Sequence, residues 1–417
     1  MKHIYIIDEY ISSKQNGVGT YVRHFAQMFD ATDTQVNIIS FNAEVKELCI
    51  SADNGIYRYD IPFCAQGDFL NTGELEFSLL SLYIEDKYNN IFFVNHSPCV
   101  DLLRAIRSNF PKSKMVFTIH DQGWTTPLLG NSKCLEELKR NRLVKIEGLN
   151  HRVASFVVKY CNEEKKMYNI ADAIICLSRS TYQLLHDFYG IDYHKLYFIP
   201  NCLPKEAINI PFIEKDEARK ILHLNDSEKV LLYVGRTSKA KGIIELLRVF
   251  ERIYYKIKNV RLVIVGEVHS LEEFTKLTPT SCSQITYTGL ISSERLALWY
   301  ASADIGIIPS YTEQCSYAAL EMMHTPGVVV TTNGWGLDEV FNDKNAIIAP
   351  IQRKSNEIET KQFEENLYSA LIKALSLEEA DLEALKLQCR TLLENRYNFD
   401  NVSLKYKKLL NDITSAI

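Results

Sequence analysis

Ala303-Asp304-Ile305-Gly306-Ile307-Ile308-Pro309-Ser310-Tyr311-Thr312-Glu313-Gln314-Cys315-Ser316-Tyr317-Ala318-Ala319-Leu320-Glu321-Met322-Met323 carries the most structural information of any stretch in this chain. Its first seven residues are a short apolar run closed by proline, the pattern of a buried parallel strand. Ser316 to Met323 reads as a helix stopped by Thr325-Pro326-Gly327. Glu313 therefore falls in the strand-to-helix turn, and Glu321, eight positions later, lies about two turns inside the helix. At 1.5 Å of rise per residue the two carboxylates stand roughly 12 Å apart along the axis, comparable to the reach from the sugar of a sugar nucleotide to its ribose. A helix N-terminus between them offers amides to a diphosphate. The competing reading is two glutamates on an ordinary surface helix. The strand before them and a basic loop upstream weigh against it.

Working outward, short apolar runs alternate with amphipathic stretches from end to end, which predicts an α/β class with doubly wound parallel sheets. Candidate strands are His3–Ile7, Gln35–Ser40, Asn90–Asn95, Lys114–Ile119, Ala173–Leu177 and Lys195–Ile199 in the first half. The second half supplies Lys229–Gly235, Arg261–Gly266, Gln284–Thr288, Asp304–Pro309, Val328–Thr332 and Asn345–Ile348. The two sets meet near Ile199-Pro200-Asn201-Cys202-Leu203-Pro204, a proline-marked hinge. We expect domains over 1–203 and 204–395, with 396–417 as a final helix able to pack back on the first. A long basic, amphipathic helical insertion at about 124–167 carries Lys139, Arg140, Arg142, Lys145, Arg152, Lys159, Lys165 and Lys166. It reads either as an insertion with a solvated basic face or as a helix lying on an anionic membrane surface.

The chain has 417 residues, 46% of them hydrophobic, enough for two cores, and a net charge of −5 that gives no general basic field for nucleic acid. Ten scattered cysteines without a Cys-x-x-Cys pair predict reduced thiols in a cytoplasmic protein. The opening Met1-Lys2-His3-Ile4-Tyr5-Ile6-Ile7-Asp8 has too short an apolar run for a signal peptide, and no run approaches a membrane span.

Strand Lys229–Gly235 feeds Gly235-Arg236-Thr237-Ser238-Lys239-Ala240-Lys241-Gly242 and then a helix. Ligand sites of parallel sheets lie at the carboxyl ends of strands. Arg236 would offer a fork and Lys241 a point charge to phosphate oxygens, beside a helix start that disfavours cations unless an anion joins them. In the first half, Gly17 and Gly19 sit in a loop leading to a helix, where backbone amides can approach a phosphate. The alternative there is a plain glycine turn. His96 and His120 end strands, and His120 beside Asp121 is the better candidate for a site histidine. No Asp-x-Asp or His/Cys/carboxylate cluster has metal-ligand spacing, so neither a metal nor any other cofactor is expected.

Together these pieces resemble the retaining glycosyltransferases of the two-domain GT-B fold, family 4, over nearly the whole chain. The resemblance implies that Arg236 and Lys241 bind the donor diphosphate, that Glu313 contacts sugar hydroxyls, and that Glu321 accepts hydrogen bonds from the ribose. It places Gly235, Gln314, Cys315 and Ser316 around the donor, with Gly17 and Gly19 over its phosphates and His120 near sugar and acceptor. It also places Gly266, Glu267, Thr288 and Leu290 at the nucleobase. The chain departs from the family in having Cys315 and Ser316 where a glycine is common, Cys202 in place of the hinge glycine, and Asn16-Gly17 for paired glycines. The implied activity is metal-independent transfer from a nucleotide sugar, a UDP-sugar favoured, to a glycan, lipid-linked, small-molecule or peptide acceptor. No nucleic-acid partner is expected, and peripheral contact with the inner face of a membrane is the less favoured option. Rival readings are a sugar-nucleotide epimerase or hydrolase, and a non-catalytic partner subunit. The last would be expected to lose Arg236, Lys241 or Glu313.

Overall fold

The structure, a computed structural model, describes residues 1–9, 17–29, 33–53, 55–62, 73–95, 100–140, 150–204, 213–268, 270–325, 327–353 and 360–415. Its chain packs as two compact units, one formed by Met1–Gly123, Ser155–Asn201 and Phe399–Ile417, the other by Trp124–Ala154 and Cys202–Asn398. The hinge at Asn201 and Cys202 lies within two residues of the expected boundary. The expected insertion is divided. Helix Ser132–Arg140 belongs to the second unit, whereas most of helix His151–Ile170 belongs to the first. Arg142, Lys145 and the apolar residues between them lie outside the described residues. The terminal helix Phe399–Ser415 packs in the first unit, where the Tyr406 hydroxyl meets that of Tyr21 at 3.0 Å.

The first unit holds an eight-stranded sheet. In chain order its strands are β1 (Lys2–Glu9), β2 (Thr34–Ala43), β3 (Cys49–Asp53), β4 (Ile56–Pro62), β5 (Asn90–Val94), β6 (Lys114–Ile119), β7 (Ala173–Cys176) and β8 (Leu196–Phe198). They lie in the order β3-β4-β2-β1-β5-β6-β7-β8, and every pairing is parallel except β3 with β4. That antiparallel edge pair was not among the strands expected. The second unit holds six parallel strands: β9 (Lys229–Val234), β10 (Val260–Val265), β11 (Ile285–Gly289), β12 (Ile305–Ile308), β13 (Val328–Thr332) and β14 (Ile347–Ala349). Their order is β11-β10-β9-β12-β13-β14.

These strands form because they are apolar on both faces. Val230, Leu231, Leu232 and Tyr233 of β9 are all buried, as helices covering both sides of a parallel sheet require. Helix Ile243–Lys256 turns Ile243, Leu246, Leu247, Phe250 and Ile253 toward the second core at the i, i+3, i+4 spacing of an apolar stripe. Each such side chain contributes about 1.5–3 kcal/mol on full burial. The first core is aromatic, with Tyr5 stacked on Phe92 and Phe25 against Phe93 and Tyr406. Among the described residues, no helix is long and apolar enough to cross a membrane.

Candidate functional site

In the six-stranded sheet, β10 and β11 follow β9 outward on one side, while β12, β13 and β14 extend the other. The direction of winding reverses between β9 and β12, which are hydrogen-bonded neighbours. Crevices at the carboxyl ends of strands flanking such a reversal are where open α/β sheets bind ligands. The loop after β9 carries Gly235, Arg236 and Lys241; the loop after β12 carries Glu313, Gln314, Cys315 and Ser316.

Those loops are tied together by backbone. Tyr311 N–H donates to the Ala240 carbonyl at 2.9 Å, and Lys239–Lys241 forms a single 3₁₀ turn before Gly242. Gly242 is left-handed, with φ of 69°, and a Cβ there would lie 2.0 Å from the Pro309 carbonyl oxygen, so only glycine lets the two loops meet. The consequence is a side-chain pair. Lys241 Nζ lies 2.7 Å from Glu313 Oε1, and the Ser310 hydroxyl donates to the same oxygen at 2.8 Å. Neither side chain of the pair is more than a fifth exposed, so Lys241 is not the surface cation that a helix-start lysine suggests. Arg236 is exposed, and its carbonyl accepts the buried Tyr233 hydroxyl at 2.6 Å.

Glu313 is held from its backbone as well. Its N–H donates to Trp335 O at 2.8 Å, and Gly336, at φ of 78°, leaves no room for a Cβ, which would stand 2.1 Å from the Glu313 carbonyl oxygen. Behind this loop, Arg353 donates to the Tyr311 carbonyl at 2.7 Å, and Trp124 meets Trp335 edge-on with centroids 5.2 Å apart.

The helix begins one residue later than the sequence suggests, at Tyr317, with Ser316 as its cap accepting from Ala319 N–H. Gln314 and Cys315 are buried in the turn before it. Glu321 is half-buried, and its Oε2 accepts the Tyr300 hydroxyl at 2.5 Å. Burial raises its carboxyl above the usual range while the Tyr300 hydrogen bond pulls it down. Gly266 lies buried at the end of β10, its N–H bonded to Gly289 O, and the Glu267 carbonyl accepts the Thr237 hydroxyl at 2.8 Å. Glu267 and Leu290 are exposed, and the Thr288 hydroxyl donates to the Gly289 carbonyl.

In the first unit the winding reverses between β1 and β5. Gly17 and Gly19 were expected in a loop; they instead form the first turn of helix Gly17–Ala26, with Gly17 exposed and Gly19 buried. Gln15, Asn16 and His96 lie outside the described residues. His120 follows β6, and its Nε2 is 3.2 Å from Asn95 Oδ1. The Asn95 amide nitrogen donates to the Ile7 carbonyl at 3.2 Å, which turns its oxygen to the histidine and assigns the proton to Nε2. The Tyr21 ring and the imidazole meet edge-to-face, centroids 4.6 Å apart. Among the described residues, no group of three or more histidine, cysteine or carboxylate side chains is placed to hold a metal ion.

Residues 15–206 match Glycosyltransferase Family 4, and residues 214–376 match Glycosyl transferases group 1. The chain belongs to the GT-B glycosyltransferases. An uncharacterized glycosyltransferase of Methanocaldococcus jannaschii is 30% identical over 176 residues, 40% of this chain and 44% of the relative. A D-inositol 3-phosphate glycosyltransferase of Mycobacteroides abscessus is 22% identical over 84% of this chain and 74% of its own length. The chain spans about half the length of the curated relatives it matches first. Among solved structures, the sucrose-phosphate synthase of Thermosynechococcus elongatus superposes over all of both chains with a TM-score of 0.76 at 18% identity, a likeness of fold.

Several groups at this glycosyltransferase's candidate site escaped the sequence reading. Tyr300, Ser310 and Asn95 each hold a candidate residue, yet each is a common residue type whose partner is distant in sequence or fixed only by the turn. Asn95 had one usable signal, since it ends a strand beside the sheet's reversal point.

Proposed function

We propose that this glycosyltransferase moves a hexosyl group from a nucleoside-diphosphate sugar, a UDP-sugar favoured, to an acceptor hydroxyl with retention at the anomeric carbon and without a metal. The observation that carries the reading is the Lys241–Glu313 pair at the strand reversal, with Arg236 exposed on the same loop. As the C1–O bond breaks, positive charge grows on the sugar and negative charge on the departing diphosphate. Arg236 and Lys241 stabilise the diphosphate, the work a divalent ion does elsewhere. Glu313, fixed through both its backbone and Ser310, accepts from sugar hydroxyls, and Glu321, braced by Tyr300, accepts from the ribose. The leaving phosphate oxygen takes the proton of the attacking hydroxyl on the same face, so retention follows with no protein nucleophile. The donor binds chiefly to the second unit, and His120 lies on the acceptor side.

A glycan or lipid-linked precursor is the acceptor class we favour, in the cytoplasm. Incubation of the pure protein with a panel of nucleotide sugars and candidate acceptors, reading released nucleotide and product anomer by NMR, tests the assignment. Release that needs no acceptor would favour hydrolysis, interconversion of the sugar would favour epimerisation, and an inverted product would overturn retention.

A further inference from the structure

Glu164 is wholly buried in helix His151–Ile170 and takes no part in the chemistry described above. Its Oε1 accepts the Gly123 N–H at 2.7 Å, and its Oε2 accepts the Tyr189 hydroxyl. One turn earlier on the same helix, the Tyr160 ring sits against Gly123 so closely that a Cβ there would stand 1.9 Å from Cδ1. The His120–Gly123 turn is thus anchored at both ends, by Asn95 and Tyr21 at His120 and by Glu164 and Tyr160 at Gly123.

We propose that Glu164 is a positioning residue for His120, and that its charge decides how firmly the His120–Gly123 turn is held. This rests on the reading above in one respect, that His120 lines the site. The titratable groups facing Glu164 are Asp121 from the turn, Tyr189 from the segment after helix Arg179–Asp187, and Tyr160, Cys161 and Tyr168 from its own helix. Burial, aided by Asp121, pushes the carboxyl up to about 7, against the pull of the Tyr189 and Gly123 hydrogen bonds. Near neutrality the group therefore passes between a carboxylate that grips both donors and a neutral acid that grips them less strongly.

The test is the pH profile of transfer in the wild type, Glu164→Gln and Tyr189→Phe, with the ring signals of His120 followed by NMR over the same range. Turnover should rise about fivefold through a midpoint near neutrality in the wild type, and Glu164→Gln should flatten that step. Tyr189→Phe removes a donor to the carboxylate and should move the midpoint to higher pH, which keeps the question open to decision if Glu164→Gln does not fold. A profile unchanged in both variants overturns the proposal, as does a His120 signal blind to Glu164. If no nucleotide sugar turns over at any pH, the transferase reading fails, and the His120 signals still decide this one.

Discussion

Lys241 and Glu313 meet at 2.7 Å although 72 positions separate them, because β9 and β12 are neighbours and a backbone hydrogen bond from Tyr311 to Ala240 joins the loops that follow them. The cation assigned to the leaving diphosphate and the carboxylate assigned to the sugar are thus one coupled pair, and a change in either alters the other.

Arg236→Ala should lower turnover about a hundredfold, some 3 kcal/mol of transition-state charge stabilisation, and leave stability unchanged because the side chain is exposed. Lys241→Ala should lose as much activity and also cost roughly 2 kcal/mol of stability, since Glu313 is left nearly buried without its cation. Equal melting temperatures for the two variants would contradict the pairing. Glu313→Gln should reduce turnover yet bind free nucleoside diphosphate at least as tightly, because Lys241 is released to the phosphates; calorimetric titration reads this directly.

Glu321→Ala should weaken nucleotide binding more than Glu313→Ala does. Tyr300→Phe should give a smaller loss in the same direction, as the hydroxyl that braces the carboxylate is removed. If Glu313→Ala abolished nucleotide binding while Glu321→Ala left it intact, the donor would lie in the opposite orientation.

If Arg236 and Lys241 are the cations that serve the diphosphate, as proposed, activity should persist in EDTA. Complete loss restored by magnesium or manganese would show that the charge compensation has been misassigned.

Stability should fall as pH rises from about 4.5 to about 7. Glu164 has its folded value raised to about 7 from an ordinary value of 4.5, so between the two the folded protein holds a proton that the unfolded chain has released. The slope is about 1.4 kcal/mol per pH unit for one such group. Chemical denaturation across this range should show the decline in the wild type and a shallower one in Glu164→Gln; parallel curves would refute the assignment.

The basic segment gives a test of membrane contact. Replacing Lys139, Arg140, Arg142 and Lys145 by Gln should abolish any salt-sensitive sedimentation with acidic vesicles, each charge contributing about 1 kcal/mol near such a surface. A wild type that stays in the supernatant at low salt would remove lipid from consideration.

The sheet strands were legible because a parallel strand covered on both faces is written as a near-continuous apolar run, as in Val230–Tyr233 or Ile305–Ile308. The edge pair β3–β4 was not, since Tyr57 is exposed, Arg58, Tyr59 and Asp60 are only partly buried, and the four show no such run. Its signal was Asn54-Gly55, a strong hairpin dipeptide. Arg236, Lys241, Glu313 and Glu321 were readable as residues, but not as partners, because adjacency of β9 and β12 is a property of topology. Glu164 was hidden among Glu163, Lys165 and Lys166. Which of two consecutive glutamates turns inward depends on the helix phase set by its packing.

The division of the chain at Gly123, Ala154, Asn201 and Asn398 means that it passes from one unit to the other four times. Neither unit is a single stretch of polypeptide. Cutting the chain at the proline-marked hinge would strip the first unit of the helix that brings Tyr406 to Tyr21, and the second of the turn that brings Trp124 to Trp335. Neither unit can be cut out as one contiguous piece, and during synthesis the sheet of the first unit cannot be sealed until helix Phe399–Ser415 has left the ribosome.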